Sequence, residues 1–223
     1  MAHTIAVVGG TGPQGLGLAL RFARAGHTVI IGSRSPARAE EAAAAVRDRL
    51  GNAKEAEMVV VADTNRDACE RADVVMLAIP YDGHDEFVET LPLAGRLVIS
   101  CVNPLGFDKV GAFGIPVDAG QGSAAETTQR IHPDANVVGA FHHLSAVSLS
   151  QDGLICDEDV LVVGDDQDAK QIVMELAADV TGRIGVDAGK LRMARQLEPL
   201  TAVLISINRR YKVQSGIRIA AMA

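Results

Sequence analysis

A short apolar run that stops at a glycine pair near the N-terminus, and the alternation of such runs with helical patterns over the first hundred residues, predict an α/β fold. The expected architecture is a doubly wound parallel sheet of the Rossmann type, with a smaller α/β part at the C-terminal end. The division falls near residue 150, with a dinucleotide-binding domain over 1–150 and the smaller part over 151–223. The chain has 223 residues, 48% apolar and 22% charged. That is enough to bury a sizeable core and too apolar for a disordered chain.

Thr4–Val8 reads as a buried parallel strand because it is continuously apolar and ends in Gly9-Gly10. Residues 14–25 carry Leu16, Leu18, Leu20, Phe22 and Ala23 in a helical pattern, closed by Gly26. Residues 28–31 form a second strand, stopped by Gly32. Ser35-Pro36 opens a helix over 37–50, ended by Gly51. A third strand is expected over 58–61, a short helix over 63–72 and a fourth strand over 74–79. Loop and helix follow over 80–91, then a fifth strand over 97–101. Residues 106–122 hold five glycines and one proline and read as loop. A helix over Ala124–Ile131 and a sixth strand over 137–141 come next. Another strand over 160–163 ends in Gly164-Asp165-Asp166, before a helix over 169–180 and a short strand over 183–186. The long pattern over 190–210 places Leu191, Ala194, Leu197, Leu200, Leu204 and Ile207 at spacings of three and four, with Val203 and Ile205 on other sides. Such a helix belongs in a core or in a subunit interface.

Composition narrows the function. The net charge of −7 and the absence of Trp argue against nucleic-acid binding. No apolar run approaches the ~20 residues of a membrane span, and no leader pattern is visible. Cys69, Cys101 and Cys156 are scattered and odd in number, which suggests free thiols in a reducing, cytoplasmic setting. From Asp187 to the end there are seven basic residues against two acidic ones, a net of +5 on an acidic protein. That segment either faces an anionic small molecule or offsets a helix dipole at Arg209, Arg210 and Lys212.

Gly10-Thr11-Gly12-Pro13-Gln14-Gly15 matches the dinucleotide fingerprint and sits where it must, between a strand and a helix. Gly10 permits the tight turn, Gly12 lets the backbone approach a pyrophosphate, and Gly15 lets helix and strand pack closely. The helix N-terminus supplies N–H groups and positive potential for the phosphates. An NAD protein ends its second strand in Asp or Glu. Here the strand ends Ile30-Ile31-Gly32-Ser33-Arg34, and no acid occurs before Glu40. Arg34 can fork onto a phosphate, Ser33 can donate to it, and Arg38 lies one helical turn on, so the pattern prefers NADP. The loops at 79–84 and 100–104 follow strand ends and should line the nicotinamide half. His84, in the first of them, is expected to be a solvated loop histidine rather than an acid or base.

Taken together, these segments resemble the F420-dependent NADP reductase family. The resemblance is carried by Gly9-Gly10-Thr11-Gly12 with the residues from Gly15 to Arg21; by Gly32-Ser33-Arg34, Ile79-Pro80 and Phe141-His142; and by Val163-Gly164-Asp165-Asp166 and Asp187-Ala188-Gly189. Leu197-Glu198-Pro199-Leu200-Thr201 and Gly216-Ile217-Arg218 complete it. It implies a homodimeric oxidoreductase that passes hydride directly between reduced coenzyme F420, an 8-hydroxy-5-deazaflavin, and NADP, with no side chain acting as catalyst. By position, NADP would lie against Thr11, Gly12, Pro13, Gln14, Ser33, Arg34 and Arg38, with Ile79, Gly83, Asn103 and Ala146 along its ribose and nicotinamide. The deazaflavin would lie against His142, Leu144 and Ser145, with Gly216 across the cleft. His142 is expected to be a wall and hydrogen-bond donor for the deazaflavin. The chain departs from relatives at Leu144-Ser145-Ala146, at Tyr81 and at Ser215. Two other functions remain open on the residues: an NADP-dependent reductase of a small imine or ketone, akin to pyrroline-carboxylate reductases, and a non-catalytic NADP-sensing module.

Overall fold

The computed structural model describes residues 1–51, 56, 59–152 and 156–220. Its core is an eight-stranded sheet. β1 (Thr4–Val8), β2 (Thr28–Ser33), β3 (Val60–Thr64), β4 (Val74–Leu77), β5 (Leu97–Ser100), β8 (Asn136–Gly139), β9 (Leu161–Gly164) and β10 (Val186–Asp187) lie in the order 10-9-8-5-4-1-2-3. From β3 to β8 all neighbours are parallel, as the alternation predicts. Apolar residues cover both faces. Ile5, Val7, Leu18, Leu20, Phe22 and Ile99 pack on one, and Ala6, Val8, Ile30, Leu77, Leu93 and Val98 on the other.

Helices that lie wholly among the described residues are α1 (Pro13–Arg24), α2 (Pro36–Leu50), α3 (Asn65–Arg71), α4 (His84–Val88), α5 (Ala124–Ile131), α6 (Ala146–Leu149), α7 (Gln167–Thr181) and α8 (Ala194–Tyr211). The Ser35 start and the Gly51 stop of α2 are as expected, and other ends are built in the same way. Ser35, Ser123 and Asp166 accept the N–H three residues on, and Gly51 and Gly182 take left-handed backbone past the last turn. No helix among the described residues is long and apolar enough to cross a membrane. All three cysteines are buried and free.

Four expectations need correction. β3 runs to Thr64, so residues 63 and 64 belong to the strand and only Asn65 opens the helix; Met58 lies outside the described residues. β9 pairs antiparallel with β8, not parallel. An antiparallel neighbour needs no crossover helix between the two strands. The glycine-rich stretch after residue 104 holds a hairpin, β6 (Leu105–Phe107) with β7 (Ala112–Gly114). Its glycines serve close packing: a Cβ at Gly106 would lie 2.4 Å from the Phe113 ring, and one at Gly114 would lie 2.7 Å from Pro199 Cβ. The long C-terminal pattern begins as a 3-10 turn at Leu191–Met193 before α8, which buries Ala194, Leu197, Ala202 and Leu204 and leaves Val203 53% exposed.

Candidate functional site

The fingerprint loop joins β1 to α1. Gly12 is the N-cap residue, and Pro13 stands at the first helical position, where its missing N–H costs nothing. The first intrahelical bond runs from Leu16 N–H to Gly12 C=O at 2.9 Å. The N–H groups of Gln14 and Gly15 therefore precede the helical ladder and face an incoming anion. The glycines differ in why they are glycine. A Cβ at Gly15 would lie 2.8 Å from Gly10 Cα, and one at Gly10 would lie 2.7 Å from Val7 O. Both positions are fixed by packing. A Cβ at Gly12 would meet nothing nearer than Gly9 O at 3.8 Å. The space over Gly12 is a cradle that only a ligand needs empty, and it fits a pyrophosphate.

At the end of β2, Ser33 is buried and its Oγ accepts the Ser35 N–H at 3.2 Å. Arg34 and Arg38 are exposed, and among the described residues neither side chain makes an ion pair or hydrogen bond. Two uncommitted guanidinium groups beside a buried serine, with no carboxylate between them, suit a 2′-phosphate better than a bare ribose hydroxyl.

At the other end, the loops after β4 and β5 line one cavity of about 580 Å³, with Tyr81, Gly83, His84, Asn103 and Leu105 in its walls. Ile79 packs on the fingerprint loop: a Cβ at Gly9 would lie 2.7 Å from Ile79 Cγ2. The loop after β8 is held by its main-chain oxygens. Asn103 Nδ2 and Thr201 Oγ1 both donate to His142 O at 2.9 Å. Gln14 Nε2 donates to Phe141 O at 3.0 Å, and Phe141 has left-handed backbone with φ 63°. Ser145 Oγ caps α6 by accepting the Ser148 N–H at 3.4 Å and donates to Gln214 Oε1 at 2.6 Å, drawing the C-terminal segment toward the loop. Two residues further on, Gly216 lies on Glu158, where a Cβ would come within 2.2 Å of the carboxyl carbon.

The structure thus groups the predicted residues at the C-terminal edge of the sheet, but three side chains behave differently from expectation. Gln14 spends its side chain as a strut to Phe141, leaving only its N–H for phosphate. His84 is 2% exposed, not solvated: Nδ1 lies 2.7 Å from Asp85 Oδ1 and Nε2 lies 3.2 Å from Thr128 Oγ1, so it ties α4 to α5. His142 is 2% exposed, and neither ring nitrogen has a partner. Its Cε1 lies 3.2 Å from the Cβ position of Gly139, so the ring is turned inward and is not an open wall of the cleft. Burial, with His143 alongside, pushes its pKa down to about 3 and keeps it neutral. Burial likewise pushes the Glu158 carboxyl up to about 7, and its Oε2 has no partner. Thr201 was legible only as part of a resemblance; its bond to His142 O depends on where α8 docks, which no local pattern encodes.

Residues 4–104 match the family model for NADP oxidoreductase, coenzyme F420-dependent. The F420-dependent NADP reductase of Methanocaldococcus jannaschii is 38% identical over 221 residues, covering 96% of this chain and 97% of that one. The enzyme of the same name from Methanothermobacter thermautotrophicus is 38% identical over 224 residues, covering 98% and 95%. A solved Arthrobacter structure, provisionally assigned as an F420-dependent NADP reductase, superposes with a TM-score of 0.79 at 27% identity over 98% of this chain and 99% of that one. A pyrroline-5-carboxylate reductase from Streptococcus pyogenes shares the fold at 13% identity, with a TM-score of 0.57. With relatives that similar over nearly the whole of both chains, the chain belongs to the F420-dependent NADP reductase family.

Proposed function

We propose that this protein transfers hydride reversibly between reduced coenzyme F420 and NADP. The observation that carries the reading is the full-length similarity to enzymes of that name. When bound, the two coenzymes supply the hydride chemistry, carbon to carbon. The chain's own part is placement and exclusion of water. The N–H groups at the start of α1 bind the pyrophosphate over Gly12, with Thr11 and Pro13 beside it. Ser33, Arg34 and Arg38 hold the 2′-phosphate. Ile79, Gly83, Asn103 and Ala146 border the nicotinamide ribose, and Leu144, Ser145 and Gly216 border the deazaflavin, with His142 bracing the loop from beneath. Residues 1–150 carry the dinucleotide, and residues 151–223 close the deazaflavin side.

Absorbance of oxidised F420 in the presence of NADPH tests this. Bleaching is expected; NADPH binding without bleaching would refute it. Turnover of a small cyclic imine in its place would favour the pyrroline-carboxylate-like reading, and tight binding with no acceptor reduced would favour a sensor. We further infer a cytoplasmic homodimer. Three free buried thiols suit a reducing compartment. Phe107, Val203 and Tyr211 are 70%, 53% and 66% exposed along the β6–β7 hairpin and α8, an apolar ridge suited to a second copy. Light scattering of Val203→Glu should report a monomer where the parent gives a dimer.

A further inference from the structure

Three parallel strands end side by side at the cofactor edge. Register sets Val8 beside Gly32 and Ser33 beside Thr64, so β1, β2 and β3 leave the sheet in a row. β1 feeds the glycine loop, β2 feeds Ser33 and Arg34, and β3 feeds α3, whose first residue is Asn65. Asn65 is 7% exposed. Its Oδ1 accepts the Gly9 N–H at 3.2 Å, and the same oxygen lies 2.8 Å from the Cβ position of Gly32. The carboxamide therefore reaches from the end of β3, across the end of β2, to the end of β1. It can pass because residue 32 has no side chain. α3 does not need it, since Thr64 Oγ1 already accepts the Asp67 N–H at 3.1 Å. A second tie parallels it, from Gly10 N–H to Gly32 O at 3.2 Å.

We propose that Asn65 is a positioning residue that fixes the separation between the pyrophosphate cradle and the 2′-phosphate site, and so helps set the preference for NADP while belonging to neither site. A dinucleotide with a 2′-phosphate spans both anchors and is sensitive to their spacing. A ligand that uses one anchor is not. The inference rests on the dinucleotide part of the functional reading and is independent of the hydride partner.

The test is Asn65→Ala, which leaves the Thr64 cap in place and puts a good helix former at the first turn. NADPH, NADH and 2′-AMP are titrated against parent and variant. NADPH is expected to bind about tenfold more weakly, the equivalent of one lost hydrogen bond. NADH and 2′-AMP, each held at one anchor, should stay within about twofold, and the Gly9 amide should exchange faster with deuterium. Gly32→Ala presses on the same oxygen without removing it and should give the same pattern; should it fail to fold, the Asn65 variant decides alone. Equal weakening of all three ligands would show that Asn65 only supports the fold, and unchanged NADPH binding would show that its bond to Gly9 sets nothing; either overturns the proposal. Failure of the parent to bind any of the nucleotides would overturn the dinucleotide reading itself, whereas normal binding without F420 bleaching would overturn only the hydride partner.

Discussion

Replacing Arg34 by alanine isolates the coenzyme preference, because this side chain has no role in the protein's own structure. It is exposed and, among the described residues, bonds to nothing. Its removal should therefore change stability by no more than about 0.5 kcal/mol. A charge-assisted fork onto a phosphate contributes about 2–3 kcal/mol, which corresponds to roughly 30- to 150-fold in affinity. Two features pull the expected value to the lower half of that range. Arg38 remains one turn away, and both groups face solvent, where screening over a Debye length of about 10 Å at 0.1 M salt weakens them. NADPH binding should thus fall by a few tens-fold at low salt and less at high salt, and NADH binding should change by less than about twofold. Titrations of both coenzymes by nicotinamide fluorescence at two salt concentrations, with a melting curve of each protein, measure all three quantities. Equal weakening of NADPH and NADH, or a lowered melting temperature, would show that Arg34 shapes the turn rather than reading the phosphate.

The two kinds of glycine should separate. Gly12→Ala is expected to fold normally and lose dinucleotide binding, because its Cβ meets no protein atom nearer than 3.8 Å. Gly15→Ala should lower the melting temperature, because its Cβ would lie 2.8 Å from Gly10 Cα. Glu158, raised from 4.5 to about 7, binds its proton more tightly folded than unfolded. Its contribution is full below the unfolded value and is lost as pH rises through 7. Melts of Glu158→Gln between pH 5 and 8 should show that loss flattened; a curve parallel to the parent would refute the assignment. His142, lowered from 6.5 to about 3, has the opposite linkage: the stability it allows is present above 6.5 and falls away as pH drops toward 3. His142→Ala should cost about tenfold in turnover with an unchanged pH profile; a loss of about 10²–10⁴ with a missing limb would make it a proton carrier.

The strand–turn–helix units at the N-terminal end were readable because their determinants are local. Spacing of Gly10, Gly12 and Gly15 and the Ser33-Arg34 ending follow from a strand–turn–helix unit some thirty residues long. Helix caps at Ser35, Ser123 and Asp166 are equally local. What escaped the sequence depends on pairs far apart in the chain. The β6–β7 hairpin was hidden because its glycines signal loop, while their use is to admit Phe113 and Pro199. His84 reads as a solvated loop residue until Thr128, forty-four positions away, arrives beside it. Asn65 lies in a stretch expected to be helical throughout, and its bond to Gly9 crosses fifty-six positions.

The loop after β8 can vary in sequence without losing its shape. Gln14, Asn103 and Thr201 reach it from α1, the β5 loop and α8, and all three bond to main-chain oxygens of Phe141 and His142. Main-chain acceptors are present whatever side chains the loop carries. The ring of His142 contributes no hydrogen bond to this arrangement, and the left-handed Phe141 is held from below by its buried ring against Phe22. Leu144-Ser145-Ala146 can therefore differ from relatives and still present the same backbone curve. Ser145, at the start of α6, uses its hydroxyl both to accept the Ser148 N–H and to bond Gln214, so one side chain caps the helix and fastens the C-terminal segment to the loop.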